Sequence, residues 1–156
     1  MTARWAALCL AVLASPPAAL GQANPIQVEN ARPATPGWAA VDETTSIEGY
    51  ADRTSVAPGE TIGFHVVAHE AGARYRIQIF RLGWYGGGGA RLVACLPGCD
   101  ADRAAAFPPP PPVSLPTGEL RAGWPRTDGL GIPDDWVSGY HEARIVLTAG
   151  DRKSVV

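Results

Sequence analysis

The sequence predicts an all-β fold, namely an antiparallel β-sandwich of immunoglobulin-like or fibronectin-like type that lacks its last strand. Its 156 residues include 18 glycines and 15 prolines, which favour short strands joined by turns over long helices. Several segments alternate apolar and polar residues between turn signals, as the strands of a sandwich do. Hydrophobic residues make up 46% of the chain and charged residues 18%, which is typical of a globular domain with a buried core.

Residues 1–23 contain, in order, the basic, apolar and small-residue segments of a secretory signal peptide. Arg4 precedes the apolar run Trp5–Ala14, and small residues follow it. The run is too short to span a hydrocarbon core about 30 Å thick, which needs about 20 helical residues. We therefore predict Sec-type export, with cleavage after Ala23 preferred to cleavage after Gly21, and a secreted or periplasmic protein.

Residues 24–46 are predicted to form an extended N-terminal arm, because prolines and a glycine punctuate a polar sequence. Trp38 is the one bulky residue that can anchor this arm. The sandwich is predicted to occupy residues 47–156, with a proline-rich insert at 100–125. Within that insert Pro108–Pro112 predicts a polyproline II rod on the surface.

The first half of the sandwich contains two predicted strands. Ile47–Tyr50 is a short one, and Ala57–Glu60 has proline and glycine at the positions that a type II turn requires. Thr61–Ala68 follows, and its alternate residues are apolar, which places one face in the core. That face consists of Ile62, Phe64, Val66 and Ala68.

Tyr75–Leu82 repeats the alternation, with Tyr75, Ile77 and Ile79 on the inward face. Phe80 and Leu82, near its end, are apolar but fall on the opposite face from this inward set. They predict a bulge or a strand that is covered on both sides. A glycine-rich connection follows at residues 83–89. The chain then resumes a strand at residues 91–95, and residues 100–106 predict a helical turn.

Near the end of the chain, Pro133–Gly139 predicts a compact turn that opens into a strand at Tyr140–Thr148. The inward face of that strand is predicted to carry His141, Ala143, Ile145 and Leu147. Arg152–Val156 starts another strand signal that ends after a few residues. An unpaired edge beside a hydrophobic face is costly, so we expect a truncated reading of a longer protein.

Cys95 and Cys99 are predicted to form a disulfide, because the third cysteine, Cys9, leaves with the signal peptide and export favours oxidation. Two unpaired thiols in a loop are the alternative. The formal net charge of −2 provides no excess of positive charge that would attract nucleic acid or an anionic membrane.

No catalytic constellation is recognisable. His65 and His69 would face the same side of a strand, yet two imidazoles do not complete a metal site. His141 is expected to be a core histidine, and Asp134 and Asp135 are expected to bond local amides. We therefore predict no catalytic, metal or cofactor-binding residue in this chain.

Trp84 and Tyr85 are the candidate docking surface, since aromatic side chains are favoured at interfaces. Stacking on a sugar and burial over the domain's own core remain open alternatives for the two rings. The four glycines after them do not predict a phosphate site, because a strand and not a helix N-terminus follows.

The segments RLGWYGG (residues 81–87) and PDDWVSG (residues 133–139), together with IEGYA (residues 47–51) and VAPGE (residues 56–60), resemble the N-terminal β-sandwich domain of N,N-dimethylformamidase large (β) subunit-like proteins. The resemblance begins near Ile26. It implies a sandwich beside a larger catalytic domain in which mononuclear iron hydrolyses an amide. No iron ligand of the family falls within this chain, so any iron belongs to that absent domain.

The leading hypothesis is a secreted, non-catalytic accessory domain that packs against or orients a downstream hydrolase-like domain, or another protein surface. A first alternative treats the chain as part of an N,N-dimethylformamidase-like amidohydrolase. A second treats it as an independent carbohydrate- or surface-binding module. We expect neither nucleic acid nor a membrane span among its interactions.

Overall fold

The computed structural model describes residues 24–39, 45–107, 109–110 and 113–149. It is mostly antiparallel sheet, with 41% strand and 8% helix, and the predicted antiparallel sandwich is confirmed. The regular elements are, in chain order, α1 (Pro25–Asn30), β1 (Ile47–Ala51), β2 (Thr61–Ala68), β3 (Arg74–Leu82), a 3₁₀ helix (Tyr85–Gly87), β4 (Ala90–Leu96), β5 (Arg103–Ala104), β6 (Val113–Ser114), β7 (Leu120–Arg121), β8 (Asp128–Gly131) and β9 (His141–Ala149).

The strands form two main sheets. The first has the order β1-β2-β8. In the second, β3 is central: β9 pairs along it from Arg74 to Arg81, and β4 and β5 also pair with it. β6 and β7 form a separate two-stranded hairpin. All these strand pairs are antiparallel.

The core lies between the two sheets, and alternation along the strands fills it as predicted. The buried cluster includes residues predicted to face inward on β2, β3 and β9. These residues are Phe64, Val66, Ala68, Tyr75, Ile77, Ile79, Ile145 and Leu147. Ala143 pairs opposite the inward-facing Ile79 and so lies on the predicted face, but it is exposed.

The sequence of β3 predicts a bulge or a strand covered on both sides, and the structure has a bulge on the neighbouring strand β4 while β3 itself is covered on both faces. The register of β3 against β4 shifts between Ile79 and Phe80, whose partners are Ala94 and Leu92, so Val93 is the extra residue on β4. Phe80 is 2% exposed, and the Arg144 guanidinium lies 4.7 Å from its ring centroid. The cation covers the aromatic ring on the outer face of the sheet.

One buried polar pair joins the sheets across the core. Tyr75 of β3 donates its hydroxyl proton to Asp128 of β8 at 2.5 Å, and Arg103 donates to the same carboxylate at 2.8 Å. Burial, followed by the bond to Asp128, raises the pKa of the Tyr75 hydroxyl. The phenol therefore remains protonated and serves as the donor.

The turn at residues 57–60 follows its sequence. The Glu60 amide donates to the Ala57 carbonyl at 3.1 Å, and Gly59 has a φ of 81°. A positive φ at the third position after proline at the second defines a type II turn, so this prediction is confirmed.

Two local predictions are wrong. Residues 100–106 are not a helical turn, because Arg103–Ala104 pairs with β3 and the Ala105 amide bonds the Ala73 carbonyl at 2.9 Å. The arm is not extended throughout, since Asn24 caps α1 by accepting from the Ile26 amide at 2.9 Å. Pro25 then stands at the first helical turn, where its missing N–H costs nothing.

Several predictions fall outside the described residues. The signal peptide at residues 1–23, the strand signal at Arg152–Val156 and most of the proline rod belong to this group. In the part of the chain that the structure describes, no helix is long and apolar enough to cross a bilayer.

Candidate functional site

The structure separates the two aromatic residues predicted to form a docking surface. Trp84 is 70% exposed, whereas Tyr85 is 3% exposed. The prediction of a docking role is therefore wrong for Tyr85, because its ring is buried in the interior. The alternative of burial within the domain holds for Tyr85, and only Trp84 is available to another molecule.

The glycine-rich connection at residues 83–89 is a compact loop. The Gly87 amide donates to the Trp84 carbonyl at 2.7 Å, and the Gly83 amide donates to the Gly89 carbonyl at 2.9 Å. Gly86, Gly87 and Gly89 all have positive φ, which glycine adopts without steric cost. The loop thus sets where the indole of Trp84 projects.

A buried polar network supports this loop from below. The Tyr85 hydroxyl donates to Glu29 Oε1 at 3.0 Å and accepts from Arg81 Nη1 at 3.0 Å. Arg81, which is 4% exposed, also donates to Asn30 Oδ1 at 3.0 Å and to the Ser138 carbonyl at 3.1 Å. The network therefore ties the loop to α1, to β3 and to the segment before β9.

Glu29 is the charged centre of the network, and it is 4% exposed. Arg91 donates to its carboxylate from Nε at 2.8 Å and from Nη2 at 2.5 Å, and Arg32 lies 3.2 Å from it. Burial alone raises the pKa of the Glu29 carboxyl, but the bonds from Arg91 and Tyr85 outweigh burial and lower it. The group is ionised and paired, as a buried carboxylate must be.

The arm continues along the edge of β4 and also contacts the loop. The Thr35 amide donates to the Ala90 carbonyl at 2.9 Å, and Thr35 Oγ1 accepts from the Leu92 amide at 2.8 Å. The Trp38 indole donates to the Gly88 carbonyl at 2.6 Å. Trp38 therefore holds the arm against the glycine loop through its polar edge.

A cleft of about 510 Å³ opens between the sheets at one end of the sandwich. Both sheets and the segments 53–58 and 132–140 contribute to its walls. Its apolar lining includes Ile62, Phe64, Ile79, Leu130, Ile132 and Trp136. Tyr140, which is 75% exposed, also lines the cleft.

His141 forms part of the cleft wall and stacks on Trp136, with ring centroids 5.1 Å apart and an interplanar angle of 11°. Its Nδ1 lies 3.2 Å from the Gly139 carbonyl, which requires Nδ1 to be the donor. Burial lowers the pKa of His141, despite the bond to Gly139. His141 pairs opposite Arg81, whose side chain is buried. His141 therefore lies on the inward face of β9, as predicted, and its side chain is partly buried.

The other histidines do not converge. The His65 ring stacks on Tyr50 at 4.6 Å, and its Nδ1 contacts the Trp124 carbonyl at 2.7 Å. His69 Nε2 lies 3.0 Å from Glu48 Oε2. Within residues 24–39, 45–107, 109–110 and 113–149 no three His, Cys, Asp or Glu side chains are grouped to hold a metal, so no residue there is assigned to iron.

The remaining predicted residues lie apart from the cleft floor. Cys95 and Cys99 are joined by a disulfide in the structure, on the edge strand β4 and the turn after it. Asp135 borders a small cavity of about 190 Å³ beside the buried network. Asp134 lies near the type II turn, since a Cβ at Gly59 would be 3.5 Å from its Oδ1.

Sequence inspection missed the buried network and the cleft. Glu29 lies 62 residues from Arg91 and 56 residues from Tyr85 along the chain, so no local pattern connects them. Glu29 is one of several charged residues in the arm, together with Arg32, Asp42 and Glu43, so the local sequence gave no signal that this carboxylate is buried.

Taken together, these features define an antiparallel β-sandwich domain whose cleft-bearing end displays exposed aromatic side chains. Residues 76–156 match the family model described as N,N-dimethylformamidase beta subunit-like, C-terminal. Since this is slightly more than half of the chain, the chain belongs to the N,N-dimethylformamidase beta subunit-like family. No curated protein and no solved structure matches it significantly.

The match covers both motifs that were the most specific in the sequence, at residues 81–87 and 133–139. It includes nearly all of the second sheet and leaves β1 and β2 outside. The family description names a C-terminal region. An N-terminal position in the parent and a truncated chain are therefore not confirmed, and they stay predictions.

Proposed function

We propose that this chain is a non-catalytic accessory domain of an N,N-dimethylformamidase-like protein, which docks on a hydrolase-like catalytic domain through the end that carries Trp84 and Tyr140. The observation that supports this most directly is the 70% exposure of Trp84 on a loop held by a buried network. Export through residues 1–23 and a position before the catalytic domain are part of the same proposal.

Trp84 and Tyr140 lie at the same end of the second sheet. The Leu82 amide donates to the Tyr140 carbonyl at 2.9 Å, and Trp84 follows Leu82 by two residues. Trp and Tyr are enriched among the residues that dominate binding energy at protein interfaces. Both therefore suit a contact with a second domain.

The rigidity of the loop adds to this argument. Ordering a mobile side chain or loop at an interface costs about 0.5–1.5 kcal/mol per side chain. Here Tyr85, buried beneath the loop, bonds both Glu29 and Arg81. Much of the ordering cost is met on folding, so Trp84 is presented ready for a partner.

The test compares two proteins: the purified full chain, and the product of the reading frame extended beyond Val156. Formamide hydrolysis is assayed for both with and without added iron. The proposal expects turnover from the extended protein only. Turnover by the chain alone would refute an accessory role and favour the amidohydrolase alternative.

Trp84→Ala and Tyr140→Ala in the extended protein test the docking surface. The matched control is Val113→Ala, which removes another exposed apolar side chain, 56% exposed, from the separate hairpin. We expect the two aromatic variants, and not the control, to increase proteolytic cleavage between the domains. Equal cleavage in all three, or retention of the isolated chain on a glycan array that Trp84→Ala abolishes, would overturn the docking role.

A further inference from the structure

The cleft at the end of the sandwich has the dimensions of a ligand site. Its volume is about 510 Å³, and small-molecule pockets are typically about 300–1,000 Å³. The walls come from both sheets, so the cleft is a feature of the folded sandwich and not of one loop. A ligand site goes beyond the docking role proposed above, although Tyr140 belongs both to the cleft lining and to that docking surface.

The floor of the cleft is apolar and continuous with the core. Ile62, Leu130 and Trp136 line the cleft and are partly buried against the core cluster. A ligand that covers them would remove apolar surface from water, which is worth about 25 cal/mol per Å². The occupant is therefore mainly apolar.

The polar groups of the cleft disfavour a charged occupant. Among the described lining residues, Arg53 is the one with a permanent charge, and Glu60 lies 3.6 Å from its Nη1. Ser55, Thr54 and Ser138 supply neutral hydroxyl groups at the wall. An anionic ligand would compete with Glu60 for the single cation.

His141 supplies an acceptor. Because Nδ1 donates to the Gly139 carbonyl, the neutral ring leaves a lone pair on Nε2. Burial lowers the pKa of this imidazole, which keeps it neutral at pH 7. The stack on Trp136 and the bond from Nδ1 to Gly139 hold the ring in place at the cleft wall.

We propose that this cleft binds a small, uncharged, mainly apolar molecule that carries one hydrogen-bond donor, such as a hydroxyl or an amide-type N–H, and that the donor bonds His141. The apolar body of the ligand lies over the Ile62 and Leu130 side chains.

The test uses two matched probes, indole and indene, which have similar shape and differ in the N–H donor. Each is titrated into the isotope-labelled full chain, and chemical shifts are followed by NMR. We expect saturable shifts at Ala143, Trp136 and His141, with indole bound about 3–10-fold more tightly, the range expected for one neutral hydrogen bond. Absence of saturation with indole at millimolar concentration, or equal affinity for the two probes, would overturn the proposal.

Variants separate the apolar and polar parts of the site. Ala143→Phe, on the β9 wall, and Ala51→Phe, at the end of β1, each fill the cleft and are expected to abolish indole binding. Ala149→Phe places the same ring at the far end of β9, outside the cleft lining, and is expected to bind normally. His141→Phe keeps an aromatic ring against Trp136 and is expected to remove the preference for indole.

These variants are compared only where their amide spectra retain the dispersion of the folded protein. Two cleft-filling variants are included so that one remains if the other fails to fold. Unchanged indole binding in either folded variant, or an unchanged preference in His141→Phe, would contradict the assigned site.

Discussion

Replacing Glu29 by glutamine tests whether the buried network holds the arm and the aromatic loop together. The variant keeps the size of the side chain but removes the charge that Arg91 contacts through Nε and Nη2. Tyr85 also loses a charged acceptor, now 3.0 Å away. The change therefore weakens the support of the glycine loop as well as the arm.

The magnitude follows from the burial of the partners. Breaking a buried ion pair by removing one partner costs about 3–5 kcal/mol. The Arg91 side chain is 24% exposed and the Arg32 side chain 57% exposed, so water compensates part of the loss. We expect the free energy of unfolding to fall by about 2–3 kcal/mol, or the Tm by about 6–15 °C.

The measurement is urea denaturation followed by tryptophan fluorescence, with linear extrapolation to water. Arg32→Ala is the matched control, because it removes an exposed partner of the same carboxylate and should cost less than about 1 kcal/mol. If Glu29→Gln and Arg32→Ala lower the free energy of unfolding equally, the carboxylate does not anchor the network and the reasoning fails.

The pH dependence gives the same prediction a second readout. The folded pKa of Glu29 lies below its ordinary value of 4.5, so its stabilising contribution is present above pH 4.5 and is lost as the pH falls through the folded pKa. The difference in stability between the native chain and Glu29→Gln should therefore shrink on acidification. A difference that stays constant down to pH 3 would contradict the pairing.

Three further outcomes are expected. Trp84→Ala should change the free energy of unfolding by less than about 0.5 kcal/mol, because the indole is exposed; a larger loss would mean that it packs within the domain. Tyr75→Phe should cost about 1–3 kcal/mol in a denaturation series, since Asp128 loses a buried donor; a neutral effect would contradict that bond. An NMR titration should place the pKa of His141 below 6.5, because burial disfavours the charged ring. The free energy of unfolding should therefore fall as the pH drops below 6.5. A measured pKa above 6.5 would contradict burial of a neutral ring.

The strands were predictable because their pattern is local. Successive side chains of a strand point to opposite faces, so the alternation in Thr61–Ala68 and Tyr75–Leu82 indicates a buried face without knowledge of its partner. The turn at Ala57–Glu60 was predictable for the same reason, since proline and glycine restrict φ at their own positions. Arg103–Ala104 was not, because two residues carry no period and pair with β3 only once the sheet exists.

The site depended on distant parts of the chain. Trp84 and Tyr85 are adjacent and chemically similar, yet one is exposed and the other buried. Tyr85 takes a φ of 41°, and the conformation of the glycine loop directs its ring toward Arg81 and Glu29. No sequence pattern of two aromatic residues distinguishes these outcomes.

The sequence by itself therefore determined the class of fold, the main strands with their inward faces, and the family motifs at residues 81–87 and 133–139. Only the tertiary structure decided that Glu29 anchors the arm, that Trp84 is exposed while its neighbour Tyr85 is buried, and that the two sheets leave a cleft beside His141. The physical reason is that alternation and turn chemistry act over neighbouring residues, whereas burial, ion pairing and cavity shape arise when surfaces more than 50 residues apart are brought into contact.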